Sequence, residues 1–190
     1  MKYFFTTLSL ITLTIVVNAQ TQKDRMRIMI GIGAPNIPAA VLENVDTKTG
    51  PLQIGYKVFL TPRLSVGLLY NYSSAKTKPA LSYTENFTPY IFSSNVKFNT
   101  FLSQLDFAWI NKPNYNWYSG VSLGWVNSSY QYNLIDGNVD IDEKVKTRGS
   151  AYHITLVGYH GTLGKGIGVY SELGFGFNGI WNGGFTYSFN

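Results

Sequence analysis

Residues Ile54 to Tyr72 read IGYKVFLTPRLSVGLLYNY. Ile54, Tyr56, Val58 and Leu60 alternate with Gly55, Lys57 and Phe59. The pattern breaks at Thr61-Pro62-Arg63, then resumes as Leu64, Val66, Leu68, Tyr70 and Tyr72 against Ser65, Gly67, Leu69 and Asn71. A period of two marks a β-strand, because successive side chains leave opposite faces. The two runs therefore form a hairpin. One row is continuous, β-branched and aromatic; the other is mostly Gly, Ser, Asn and Lys. A soluble sandwich turns the apolar row inward, whereas a transmembrane barrel turns it to lipid and lines its lumen with the polar row.

Working outward, the N-terminus favours the second reading. Lys2 precedes an apolar stretch from Tyr3 to Val17, and Val17-Asn18-Ala19 places small residues where a signal peptidase reads. Residues 1–19 are expected to be a cleaved secretory signal peptide, with cleavage before Gln20 and a single domain over 20–190. The apolar run is short for a spanning helix, which needs about 20 residues. The chain has no Cys, which excludes a lipoprotein anchor and disulfide stapling. Aromatics make up 16% and charged residues only 13%, half the soluble average of about 25% charged. No second long apolar run is present, so a helical membrane protein is excluded.

About eight strands can be placed, the number in the smallest outer-membrane barrels. The first, Arg25 to Ala34, sets Met26, Ile28, Ile30 and Ile32 against Arg27, Met29, Gly31 and Gly33. The hairpin supplies two. A fourth spans Asn95 to Ile110, with Phe101, Leu105, Phe107 and Trp109 outward and Gln104, Asp106 and Ala108 inward. The fifth starts near Trp117 and shows Val121, Leu123 and Trp125 against Gly120, Ser122 and Gly124. The sixth, Ala151 to His160, changes phase between Leu156 and Val157, which predicts a bulge. The seventh sets Ile167, Val169, Leu173 and Phe175 against Gly168, Tyr170, Glu172, Gly174 and Gly176. The eighth ends with Phe185, Tyr187 and Phe189 outside.

Connection lengths alternate as an up-and-down barrel requires. Thr61 to Arg63, Lys112 to Asn116 and Gly161 to Gly166 are short and periplasmic. Ala34 to Pro51, Ser73 to Ser94 and Asn127 to Ser150 are long and external, and Asn178-Gly179 reads as a two-residue hairpin turn. Trp117 and Trp125 lie eight residues apart on one face, roughly 20 Å vertically in a tilted strand. That separation nearly matches the ~25 Å apolar band, so both rings belong to interfacial girdles, Trp109 to the periplasmic one and Tyr70 and Tyr72 to the outer one.

The final strand carries Asn182, Gly184, Tyr187 and Phe189 in the order polar, any, Gly, any two, aromatic, any, aromatic. In this element, and over the whole of 20–190, the chain resembles the OmpA/OmpX-like family of small Gram-negative outer-membrane barrels. Asn190 departs from the family pattern, which ends on the aromatic. The resemblance implies an eight-stranded antiparallel transmembrane barrel in the outer membrane, with those four residues as the signal read by the barrel-insertion machinery.

Several motifs invite a chemical reading. Gly174, Gly176 and Gly179 match a dinucleotide fingerprint, but a strand follows where the phosphate site needs a helix. Asp136, Asn138, Asp140 and Asp142 have calcium-loop spacing, yet Ile141 and Thr147 stand where the loop needs Gly and Glu. Asp136-Gly137 reads instead as the turn of a hairpin protruding beyond the membrane through Tyr130, Tyr132, Leu134, Val139 and Ile141. His153-Ile154-Thr155 with Glu172 on the next strand is similar to the His-x-Ser and carboxylate of barrel lipid A deacylases. By alternation, however, His153 and Thr155 face the lumen, away from lipid. His160 falls at a periplasmic turn.

Arg27, Lys57, Asp106 and Glu172 all face inward by parity. Isolated buried charges are prohibitive, so they are expected to pair, as a plug in a lumen that side chains fill. The expected function is non-enzymatic, structural or adhesin-like, acting through external loops. A deacylase and a small gated pore are the alternatives. The expected partners are outer-membrane lipid, the insertion machinery and an extracellular protein that adds a strand. Tyr83, Phe87, Tyr90, Ile91 and Phe92 offer it an aromatic surface. No nucleic acid, cofactor or metal is expected, and the barrel is expected to be a monomer.

Overall fold

The computed structural model describes residues 26–34, 45–83, 89–136 and 144–189. The expected leader and its cleavage site, most of the calcium-like spacing, and Phe87 lie outside these residues. Nine strands are present: β1 (Met26–Ala34), β2 (Val45–Phe59), β3 (Leu64–Thr77), β4 (Ala80–Tyr83), β5 (Pro89–Asn111), β6 (Tyr115–Asp136), β7 (Lys144–Gly164), β8 (Ile167–Gly176) and β9 (Trp181–Phe189). Each pairs antiparallel with its neighbours in the order β3-β2-β1-β9-β8-β7-β6-β5-β4, and β3 also pairs β5. Eight strands thus close a ring. β4 stands outside it, continuing the line of β3 along β5 after a break at Lys78-Pro79, where proline offers no backbone donor.

The two faces are inverted relative to a soluble protein. Outward-facing Leu68, Leu123, Leu156 and Phe185 are each 64–67% exposed, whereas Lys57, Asp106 and Glu172 are 2–4% exposed. Water would not tolerate this arrangement, since it exposes an apolar belt all round the ring. Hydrocarbon favours it, and ring closure gives each of the eight strands a hydrogen-bonded neighbour on both sides. The fold is an all-β, eight-stranded antiparallel transmembrane barrel.

The expected bulge lies in β7. Tyr118 pairs Gly158 and Gly120 pairs Thr155, so Leu156 and Val157 together oppose Ser119. Both turn outward. The Ser119 hydroxyl donates to the Leu156 carbonyl at 2.6 Å, satisfying an acceptor on the bulged segment. Because the extra residue follows His153 and Thr155, it leaves their lumen orientation intact.

Three expectations about connections need correction. The described parts of two long external connections are mostly strand, since β2 starts at Val45 and β5 at Pro89, while β6 runs to Asp136 as the expected protruding hairpin requires. Alternation continues above the bilayer with polar residues outside, so pairing does not stop at the lipid boundary. Asn178-Gly179 is not a two-residue turn, because β8 and β9 are joined by Phe177 to Ile180. Asn178 is wholly buried and accepts from Asn71 Nδ2 at 2.7 Å. Finally, β7 extends to Gly164, so its turn is Lys165-Gly166, with φ of 50° and 81° as a type I′ turn demands.

The wall is therefore taller on one side. β2, β3, β5, β6 and β7 rise above the last residues of β1 and β8, and β4, β5 and β6 form the crest. Inside its upper half lies an apolar cluster of Leu69, Val96, Phe98, Leu102, Val126 and Ala151. Leu123→Arg, placed mid-wall on the outer face, is expected to destabilise the folded barrel by about 2–4 kcal/mol. Reversible denaturant unfolding in lipid vesicles measures it; a neutral result would argue that this face meets water.

Candidate functional site

The lower half of the lumen is assembled from the polar rows. Neighbouring strands place glycine beside each large inward residue: Lys57 is opposite Gly67, Asp106 opposite Gly120, and Tyr118 and Glu172 both opposite Gly158. A Cβ at Gly120 would lie 2.1 Å from Asp106 Oδ1, and one at Gly158 would lie 2.5 Å from the Tyr118 ring. Large and small residues thus alternate around the ring, which lets an eight-stranded interior fill without overpacking.

Three of the four expected lumen charges meet. Lys57 Nζ lies 2.6 Å from Asp106 Oδ2 and 3.7 Å from Glu172 Oε1. Gln104 Nε2 donates to Asp106 Oδ1 at 3.0 Å, and the Tyr118 hydroxyl donates to Glu172 Oε1 at 2.6 Å. The ammonium also sits 4.8 Å from the Tyr118 ring centroid, a cation–π contact. Arg27 lies directly opposite Lys57 on the neighbouring strand and lines the same small cavity as Lys57, Asp106 and Tyr118. Its Nε donates to Ser188 Oγ at 3.1 Å and its guanidinium lies 4.7 Å from the centre of Phe59.

Tyr118 was not singled out from sequence, although it is the next inward position before Gly120, Ser122 and Gly124. Its signal was that parity, together with Gly158 leaving it space. Sequence reasoning also misplaced His160. It lies within β7, buried, with Nε2 2.9 Å from Thr186 Oγ1, because β7 continues beyond the expected turn.

The deacylase-like residues share the lumen but are not assembled. His153 is wholly buried and Thr155 nearly so, and neither ring nitrogen nor Thr155 Oγ1 has a hydrogen-bond partner. Glu172 is held by Tyr118 and Lys57. Gly174 supplies room for the imidazole, since a Cβ there would lie 2.9 Å from His153 Nε2. With no helix after it, the glycine-rich stretch serves packing. Ser122, Asn178 and Asn182 add unpartnered polar atoms to the same lumen, a composition suited to internal water.

The girdle residues fall into two groups. Trp109 and Trp117 rings lie 6.0 Å apart, and Trp117 lies 5.1 Å from Tyr159. At the other end, Tyr70 stacks near Phe101 at 5.0 Å and Phe101 on Trp125 at 5.7 Å, with Tyr72 in the row above. On β9, Asn182 is wholly buried, Gly184 pairs Gly31, and the Tyr187 and Phe189 rings stack outside at 6.0 Å.

This combination of closed ring, apolar exterior and filled polar lumen defines the small outer-membrane barrels. The N-terminal β-barrel domain of OprF from Pseudomonas aeruginosa shares the fold with a TM-score of 0.50 at 12% identity, over 88% of this chain and 98% of that one. Ail, the attachment invasion locus protein of Yersinia pestis, gives 0.49 at 12% in complex with the heparin analogue sucrose octasulfate, and 0.47 at 9% in another crystal structure. Coverage is the same in both. No family model matches the sequence, and no curated protein does.

Lys57→Met leaves two carboxylates buried against each other and is expected to cost about 3–5 kcal/mol. Neutralising all three as K57M/D106N/E172Q is expected to recover most of that loss. Unfolding midpoints of the two variants test this; equal destabilisation would show that the ion pairs do not carry the effect.

Proposed function

We propose that this chain is a non-enzymatic integral protein of the Gram-negative outer membrane that binds extracellular proteins by strand addition, with its lumen closed by side chains. The observation that carries the reading is the tall side of the wall. Among the described residues, β4 pairs only with β5, and above the girdle β7 pairs only with β6, from Lys144 up to Gly149. These free edges stand outside the lipid, where an extended partner can form a ladder and side-chain pockets can select it. Leu81 and Tyr83 on β4 are each 58% exposed. Beside them Phe92 lies 5.8 Å from Tyr90 and 6.0 Å from Tyr132, so part of the expected aromatic surface packs on itself and stiffens the crest.

Closure of the lumen is supported by the Lys57 cluster below and the apolar cluster above. Glu172 is engaged by Tyr118 and Lys57 while His153 and Thr155 have no hydrogen-bond partner, which supports a non-catalytic role. The secretory leader read from sequence and the barrel fold together support the outer membrane as the destination.

Cells displaying the full chain are expected to bind members of an immobilised panel of extracellular proteins. Replacing residues 130–145 with an Asn-Gly turn should reduce that binding at least tenfold, while the boiling-sensitive gel mobility of a closed barrel persists. Unchanged binding would remove the strand-addition reading. Conductance steps in a planar bilayer would reassign the protein as a pore. A lipid A mass change that His153→Ala abolishes would reassign it as an enzyme.

A further inference from the structure

Among the described residues, the outer wall above the upper aromatic row carries cations without an acidic partner. Lys97 on β5 and Lys146 and Arg148 on β7 face outward and are exposed. Among the described residues the ion pairs all lie in the lumen. Strand register orders this surface. Lys97, Ser129 and Lys146 form one row, and Asn99, Asn127 and Arg148 form the row beneath. The next row down contains Tyr70, Phe101 and Trp125. Lys97 and Lys146 are two strands apart, about 10 Å between backbones, and a polar hollow of about 400 Å³ lies along Asn99, Ser129, Lys146 and Arg148.

Below and to one side, running from Trp125 across β5 and β3 to β2, is a second hollow of different chemistry. It is about 510 Å³, apolar, and lined chiefly by Ile54, Tyr56, Leu68, Tyr70, Phe101 and Trp125 on the lipid face. Two contacts join the hollows. The Arg148 guanidinium lies 5.1 Å from the Trp125 ring centre, and the Tyr70 hydroxyl donates to Asn99 Oδ1 at 2.7 Å. One surface therefore offers forked and pointed cationic donors at headgroup height, and an acyl-sized trough beneath them within the bilayer.

We propose that this is a site for one phosphate-bearing lipid of the outer leaflet. Lys97, Lys146 and Arg148 hold its phosphates, and the trough between Tyr56 and Trp125 takes an acyl chain. Arg matches phosphate with paired N–H donors, and Lys supplies compact charge. A soluble polyanion would use only the upper hollow, and an extended peptide would use the free edges instead of the outer face. Continuity of charge with an apolar trough selects an amphiphile. The site rests on the outer-membrane placement proposed above and adds a ligand class to it.

The test uses the full chain in phosphatidylcholine nanodiscs, with insertion checked by boiling-sensitive gel mobility. Native mass spectrometry then counts retained lipid A, carrying its phosphates, against its dephosphorylated form. The expected result is one retained phosphorylated lipid, preferred at least tenfold. K97Q/K146Q/R148Q should erase the preference, whereas K112Q/K165Q in the periplasmic turns should leave it intact. Equal retention of both lipids, or a preference that survives the triple substitution, overturns the site. Displacement of the lipid by millimolar inorganic pyrophosphate overturns the amphiphile assignment. Failure to insert would overturn the membrane placement as well, whereas insertion without discrimination overturns the site alone.

Discussion

A backbone amide facing hydrocarbon has no water to bond, so every strand within the bilayer must find a neighbour on each side. In this chain that requirement is met by the pairing of β1 with β9, from Met26 opposite Phe189 to Ala34 opposite Trp181. Closing the ring fixes which row of each strand faces the lumen. It also brings residues from opposite ends of the chain together, as Arg27 and Ser188 show. The contacts that cross the lumen, such as Lys57 with Glu172, follow from that closure.

Closure at eight strands leaves an interior only as wide as its side chains. The chain meets this limit by setting glycine beside bulk: Gly67 beside Lys57, Gly120 beside Asp106, Gly158 beside Tyr118 and Glu172. Removing the lysine from water is tolerable because two carboxylates and an aromatic face surround it. The same crowding draws Asn178 inward from what would otherwise be a tight external turn. Above the bilayer the limit lapses, and the wall continues only where strands still find partners.

That asymmetry divides the functions. Inside, Lys57 lies between Asp106 and Glu172, and with Tyr118 the three join residues of four different strands. The outside of the tall wall carries the free strand edges and the cationic row above Trp125, on which the proposed protein and lipid contacts rest.

Much of this was legible in sequence because a barrel's rule is local. Parity alone assigned Ile54, Leu68, Leu123 and Phe185 outward and Lys57, Asp106, His153 and Glu172 inward, and the phase slip at Leu156-Val157 announced the bulge. Strand ends were less legible, since pairing above the membrane depends on a neighbour as much as on the strand's own residues. β4 was missed for that reason, and the end of β7 at Gly164 because its last residues pair with β8 where the sequence reads as a turn. Distances across the lumen were not legible at all. That Lys57 meets Asp106 and Glu172 and that Tyr118 completes the cluster depend on ring closure and strand stagger. Sequence by itself determined the face each residue occupies, because the period of two is a property of the strand. Only the tertiary structure decided which residues meet, because closure sets the heights at which distant strands lie side by side.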